Sequence, residues 1–239
     1  MLSGMEDETG LRVRPAARAD RPRESLAQAA YAALKASILE GLLPPGHEAV
    51  EQAIADQLGM SRTPVHEAVL RLQHEGFLQV LPRRGVRVLP IDPTDLRETY
   101  DVLVALEGAA AALLAGRGAA GASALTTMAE ATEAMRQALA AGDRTGWAAA
   151  DERFHRTLLE GGGNAKLARL AQTAADQAQR ARSATAALRP DPTTSIAEHA
   201  AILSALRDAR PDAARLAVAA HRRRASQEIL RVLGALPLG

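Results

Sequence analysis

Cysteine is absent from the 239 residues, which excludes a disulfide scaffold, a zinc ribbon and thiolate catalysis. A reducing cytoplasm fits that absence. Phenylalanine, tyrosine and tryptophan together make up only 2% of the chain. β-Branched residues are also sparse, so extensive sheet is not expected. No stretch approaches the ~20 consecutive apolar residues that a membrane span needs. The opening MLSGMEDETGLRVRPAARADRPRE has no apolar core of the signal-peptide kind. A dominant charge is missing too: the formal net charge is +1, so only local charge can argue for a nucleic-acid partner.

What is present is 47% apolar and 24% charged, rich in alanine and leucine. Alanine loses no side-chain entropy in a helix and leucine little, so the composition favours helix. Residues 1–23 mix arginines, acids and prolines and read as a disordered extension. Residues 24–90 form a first domain and 91–236 a second, joined by a linker around Leu89 to Pro93.

In the first domain a helix is expected from Ser25 to Glu40, with Leu26, Ala30, Leu34 and Ile38 four apart on one face. Gly41 and the Leu43-Pro44-Pro45-Gly46 turn end it. A short second helix carries Val50, Ile54 and Leu58, and Gly59 stands at its left-handed C-cap position. Ser61 is a natural N-cap for a third helix, and Pro64 is tolerated because first-turn amides lack intrahelical partners. Val65, Ala68, Val69 and Leu72 form its buried stripe, and Gly76 closes it. Phe77 to Leu81 and Gly85 to Leu89 read as two short strands around Pro82-Arg83-Arg84. This is the order of a winged helix-turn-helix.

In the second domain Asp92 caps a helix with Pro93 at its first position, running to Leu114. Further helices fit Ser123 to Ala141, Thr145 to Leu159, Asn164 to Leu188, Thr194 to Arg207 and Pro211 to Leu233. Each stripe is too apolar to face water, so together they should pack as one bundle. The fold class expected is mainly α: an N-terminal winged helix-turn-helix and a C-terminal antiparallel all-helical bundle.

A helix-turn-helix lays its second helix in the major groove with its N-terminal residues toward the bases. Removing the buried stripe leaves Arg62, Thr63, His66 and Arg71 facing outward. Arg62 can fork onto guanine or hold a phosphate. Ser61 and Thr63 offer hydroxyls and amides to phosphates. Arg83 and Arg84, with Gly85 permitting the turn, would reach backbone or minor groove. Ser-Arg-Thr-Pro is equally an ordinary helix start, and arginines near a hairpin are usually solvated, so pattern alone leaves both readings open.

In the helical half, Asp151 and His155 lie four apart and share a helix face, while His199 and His221 sit on separate later helices. A carboxylate and three imidazoles suit Zn²⁺, Ni²⁺ or Mn²⁺ in a bundle core. An Asp-x-x-x-His pair is also common on solvated helices, and single histidines also fill cores.

The stretch LPPGHEAVEQAIADQLGMSRTPVHEAVLRLQHEGFLQVLPRRGVRV resembles the DNA-binding domain of GntR-family transcription regulators, from Tyr31 to Pro90. The resemblance carries DNA contact onto Ser61, Arg62, Thr63 and Pro64. Two DNA-facing positions depart from the family pattern. His66 stands where arginine is usual, and Gln52 where arginine or glutamate is common. The segments DERFHRTLLEGGGN and EHAAILSALRDARPDAARLAVAAH resemble the helical FCD effector domain of the FadR-type branch. That resemblance implies a six- or seven-helix bundle with a divalent metal, zinc first, held by Asp151, His155, His199 and His221. It also implies a small carboxylate effector held by metal and arginine together. The family's usual arginine after Y-x-V is Leu103 here, and Arg182 and Arg189 are the residues that could replace its charge.

The expected protein is thus a cytoplasmic, homodimeric repressor of a pseudo-palindromic DNA operator, released by its effector, with no enzymatic activity. Two other classes are carried beside it. An effector-independent architectural DNA-binding dimer would leave the four ligand residues incidental. A metal-dependent enzyme would need a general base or phosphate cradle, and Gly161-Gly162-Gly163 follows a helix rather than a strand, which suits it poorly.

Overall fold

The computed structural model describes residues 11–15 and 26–235. The chain divides into two compact units between Ile91 and Asp92. The expected disorder of residues 1–10 and 16–23, and the helix start at Ser25, lie outside the described residues.

The first unit has the element order α1 (Leu26–Leu39), β1 (Glu48–Ala49), α2 (Glu51–Leu58), α3 (Arg62–His74), β2 (Leu78–Leu81) and β3 (Gly85–Val88). Ala30, Leu34 and Ile38 of α1 meet Ile54 of α2 and Val65, Val69 and Leu72 of α3 in one core. Burying each such aliphatic side chain contributes about 1.5–3 kcal/mol. Leu26 and Val50, expected on the buried stripes, are exposed. Leu26 opens its helix, and Val50 is the extended N-cap before α2. At the other end of α2, Gly59 takes the expected left-handed conformation, φ 64°.

The sheet is antiparallel with order β1-β3-β2, and β2 pairs with β3 in the register Leu78↔Val88, Val80↔Val86. Phe77, Val86 and Val88 turn into the core. Strand β1 was not expected, being two residues long with no periodicity to read. It explains Gly85: a Cβ there would stand 2.2 Å from the Ala49 carbonyl oxygen, and its φ is +104°. Residues 11–15 are also structured. Leu11 is 2% exposed within this core, and the Arg14 amide donates to Ser37 Oγ at 2.8 Å. This stretch corrects, for those residues, the expectation of a disordered lead-in.

The second unit is the helical bundle α4 (Pro93–Ala115), α5 (Ala122–Ala140), α6 (Arg144–Gly161), α7 (Ala165–Thr185), α8 (Thr193–Arg207) and α9 (Pro211–Ala235). Asp92 caps α4 by accepting from the amides of Thr94 (2.7 Å) and Asp95 (2.9 Å). Helix α4 packs against α6, α7, α8 and α9. Small residues make that approach possible: Ala110, Ala111, Ala171, Ala178 and Ala214 are fully buried. Phe154 and Met128 fill the larger gaps.

Helix α7 stops at Thr185, short of the expected Leu188, and a 3₁₀ turn (Ala186–Leu188) follows. Arg189 precedes Pro190 and is extended, φ −97° and ψ 150°, as a residue before proline prefers. Its side chain reaches back to the Arg182 carbonyl at 3.0 Å and Thr185 Oγ1 at 3.1 Å. No helix among the described residues is long and apolar enough to cross a membrane.

Candidate functional site

In the first unit, Ser61 caps α3 with extended backbone but makes no side-chain cap bond, which leaves its hydroxyl available. Arg62, Thr63 and His66 are exposed along the start of α3, Gln52 along α2, and Arg83 and Arg84 at the hairpin tip. Gln52 donates to Asp56 Oδ1 at 2.8 Å. Pro64, by contrast, is buried beneath the helix start. Arg71 turns toward the protein: its guanidinium stands 3.5 Å over the Tyr31 ring and donates to Gln28 and Glu75. Stacking and charge-assisted bonds hold it there. Glu51, which no sequence pattern singles out, is buried at the start of α2, with carboxylate oxygens 3.1 Å from His66 Nδ1 and 3.8 Å from Arg62 Nη2.

In the bundle, Asp151 and His155 come from α6, His199 from α8 and His221 from α9. All four are buried, and one ligand atom from each lies within 4.8 Å of the others. The Nε2 of His155 is 3.3 Å from that of His199 and 3.2 Å from that of His221. Asp151 Oδ1 is 3.5 Å from His199 Nε2 and 3.8 Å from His155 Nε2. With metal–ligand bonds of about 2.0–2.1 Å, a tetrahedral set spaces its donor atoms about 3.3 Å apart.

Protonation makes the case stronger. Glu198 Oε2 lies 2.7 Å from His221 Nδ1, and a carboxylate can only accept, so Nδ1 carries a proton and donates it. Glu107 Oε2 faces His155 Nδ1 at 3.3 Å, an ion-pair distance at which Nδ1 makes no hydrogen bond of good geometry. The Nε2 atoms of His199 and His221 thus converge on that of His155 beside a carboxylate. The donor set therefore fits a cation, and the two carboxylates are the outer partners that orient metal-binding imidazoles.

Glu107 is itself held by Arg222, whose Nε donates at 2.7 Å and whose Nη2 donates to the other oxygen. Both residues are buried. Burial pushes the Glu107 carboxyl up, but Arg222 and His155 outweigh it and keep it well below the usual carboxylate range. Burial, with Arg222 adding to it, drives the His155 imidazole down to about 4 against the pull of Glu107 and Asp151. His199 is depressed well below its ordinary value, chiefly by burial. These two imidazoles are therefore neutral near pH 7, as metal ligation requires.

Of the two arginines proposed for an effector, Arg182 is the better placed. Its Nε is 3.6 Å from Asp151 Oδ2, and its Nη1 is buried without a hydrogen-bond partner. Arg189 is engaged with Thr185, the Arg182 carbonyl and, at 3.7 Å, Glu228. Both line a cleft that reaches Asp151 and His221. Leu103 is fully buried.

Residues 26–88 match the family model of bacterial regulatory proteins, gntR family, and residues 98–224 that of the FCD domain. The chain belongs to the gntR family and carries an FCD domain. A relative from Agrobacterium vitis, an uncharacterized HTH-type transcriptional regulator, is 51% identical over 132 residues, 55% of this chain and 77% of its own length. The probable D-xylose utilization operon transcriptional repressor of Paenarthrobacter nicotinovorans is 38% identical over 132 residues, covering 55% of this chain and 57% of that protein. The fold is that of E. coli McbR/YncC, with a TM-score of 0.77 at 23% identity over 87% of this chain and 99% of that one. A GntR regulator from Rhodococcus sp. RHA1 gives 0.73 at 23% identity, covering 90% and 100% of the two chains. This gntR-family protein is therefore a DNA-binding transcription regulator rather than an enzyme, with a bundle of the effector-binding type.

Proposed function

We propose that this regulator is a cytoplasmic, homodimeric repressor that releases its DNA operator when a small carboxylate binds beside a metal in the bundle. The observation that carries the reading is the junction of four buried ligand residues with a buried arginine whose Nη1 has no partner. Asp151, His155, His199 and His221 would hold a divalent ion, zinc first by its preference for imidazole, with nickel and manganese as alternatives. Such an ion supplies a Lewis-acidic anchor for a carboxylate oxygen. Arg182 adds charge-assisted donation to the same ligand.

Each winged unit would read one half of a pseudo-palindrome, with Arg62, Thr63 and His66 toward the bases and Ser61, Arg83 and Arg84 toward the backbone. The effector acts only through its differential affinity for the DNA-competent and released arrangements.

The experiment is to select bound fragments from genomic DNA, then follow one labelled operator by fluorescence anisotropy with zinc and a panel of short carboxylates. The expected result is an inverted repeat whose binding is lost only when metal and acid are both present. Release that survives unchanged in His199→Ala, or an operator without two-fold symmetry, would contradict the reading.

A further inference from the structure

The cleft beside Asp151 does not end at the metal ligands. Trp147, Arg182, Arg189 and Pro192 line both that cleft and a second, larger pocket beyond it. The two spaces are neighbours across these shared walls. The outer pocket has a cavity volume of about 50 Å³ and opens to solvent at its mouth. Its outer wall is the chain from Ala186 to Pro192. Arg144 holds that wall, donating to the carbonyls of Ala186 (2.6 Å) and Arg189 (3.0 Å) and pairing with Asp191 at 2.7 Å.

Two buried donors on the shared wall lack partners. Trp147 and Arg182 are each 8% exposed, and neither Trp147 Nε1 nor Arg182 Nη1 has a hydrogen-bond partner. A buried polar group of this kind is normally satisfied, so each is a donor left over on residues of the shared wall. Among the other polar residues, Asp143 accepts from the Gly146 amide at 2.9 Å, Arg144 is bound to Asp191, and Ser183 also lines the pocket. The apolar lining is Leu139, Ala148, Pro190 and Pro192.

We propose that the effector is a carboxylic acid with an apolar acyl or aryl tail that carries one hydrogen-bond acceptor. The carboxylate sits beside Arg182, and the tail lies along Leu139 and Pro190 with its acceptor on the Trp147 N–H. This rests on the carboxylate reading above and narrows it. Along the apolar part of the wall, each hydroxyl of a polyhydroxy acid left without a partner costs desolvation, which favours the apolar tail.

Trp147 is the single tryptophan of the chain, so its emission reports on this pocket alone. Zinc-loaded, full-length protein is titrated with acetate, hexanoate, 4- and 5-oxohexanoate, and gluconate, following emission and heat. Hexanoate is expected to bind more tightly than acetate by roughly threefold to fourfold per methylene buried. One oxohexanoate is expected to bind more tightly still and to shift the Trp147 emission. Trp147→Phe keeps a ring but removes the donor, and should abolish the advantage of the oxo acid over hexanoate, read by heat in that variant. If acetate binds but the tails add nothing, or gluconate outbinds all the others, this inference is overturned and the carboxylate reading stands. If no acid binds, both fall.

Discussion

His221 Nδ1 and Glu198 Oε2 stand 2.7 Å apart, across α9 and α8. That contact aims the opposite ring nitrogen at the cluster and raises its basicity. Glu198→Ala should therefore weaken zinc binding about 10- to 100-fold while leaving the helical content intact. Competition against a chromogenic chelator measures it, and unchanged affinity would remove Glu198 from the site.

The Arg222–Glu107 pair, buried between α9 and α4, makes a different demand. Removing one partner leaves an uncompensated buried charge, so Arg222→Met should cost about 3–5 kcal/mol in denaturant unfolding. Glu107→Leu combined with Arg222→Met should recover part of that loss, because neither charge then needs solvation. A double variant no more stable than Arg222→Met would show that the pair matters through its contact with His155.

In the DNA-binding unit, Glu75 accepts from Tyr31 Oη at 2.9 Å and Lys35 Nζ at 2.7 Å. Burial pushes its carboxyl up, but the bonds from Lys35 and Tyr31 outweigh this and hold it below the ordinary 4.5. A depressed carboxyl stabilises the fold above its unfolded value. The contribution is lost as pH falls below 4.5 through the lower folded value. Glu75→Gln should cost about 1–2 kcal/mol at pH 7 and flatten the acid limb of the melting curve. An unchanged acid limb would contradict this account.

Gly85→Ala tests the close approach of β1 to the hairpin. The added Cβ would meet the Ala49 carbonyl at 2.2 Å in a backbone with φ +104°, so the wing must shift. The expected outcome is a lower melting temperature and weaker operator binding, measured on the same preparation. An equivalent loss should not follow Gly234→Ala, where nothing lies within 4 Å.

Most of the helical architecture was legible because apolar residues recur at helical spacing and the stops are glycine or proline. Asp92 before Pro93 marks the start of α4, and Asp151 four before His155 marks half of the candidate metal site. The rest depends on tertiary approach. Glu107, Glu198 and Arg222 come from three helices, and no spacing links them to the histidines they serve. Strand β1 has two residues and exists only because β3 pairs with it. Leu11 joins a core that nothing in its local pattern announces. Trp147 falls on the apolar face of α6, and only its buried, partnerless Nε1 sets it apart from the other core positions.

The most direct test of the central claim is zinc titrated calorimetrically into chelator-stripped protein, with its melting temperature followed alongside. The account predicts one tight equivalent per chain and a rise in melting temperature, both lost in His199→Ala. Folded, metal-free protein that takes up no zinc, nickel or manganese would contradict it, and the bundle would then sense without a metal.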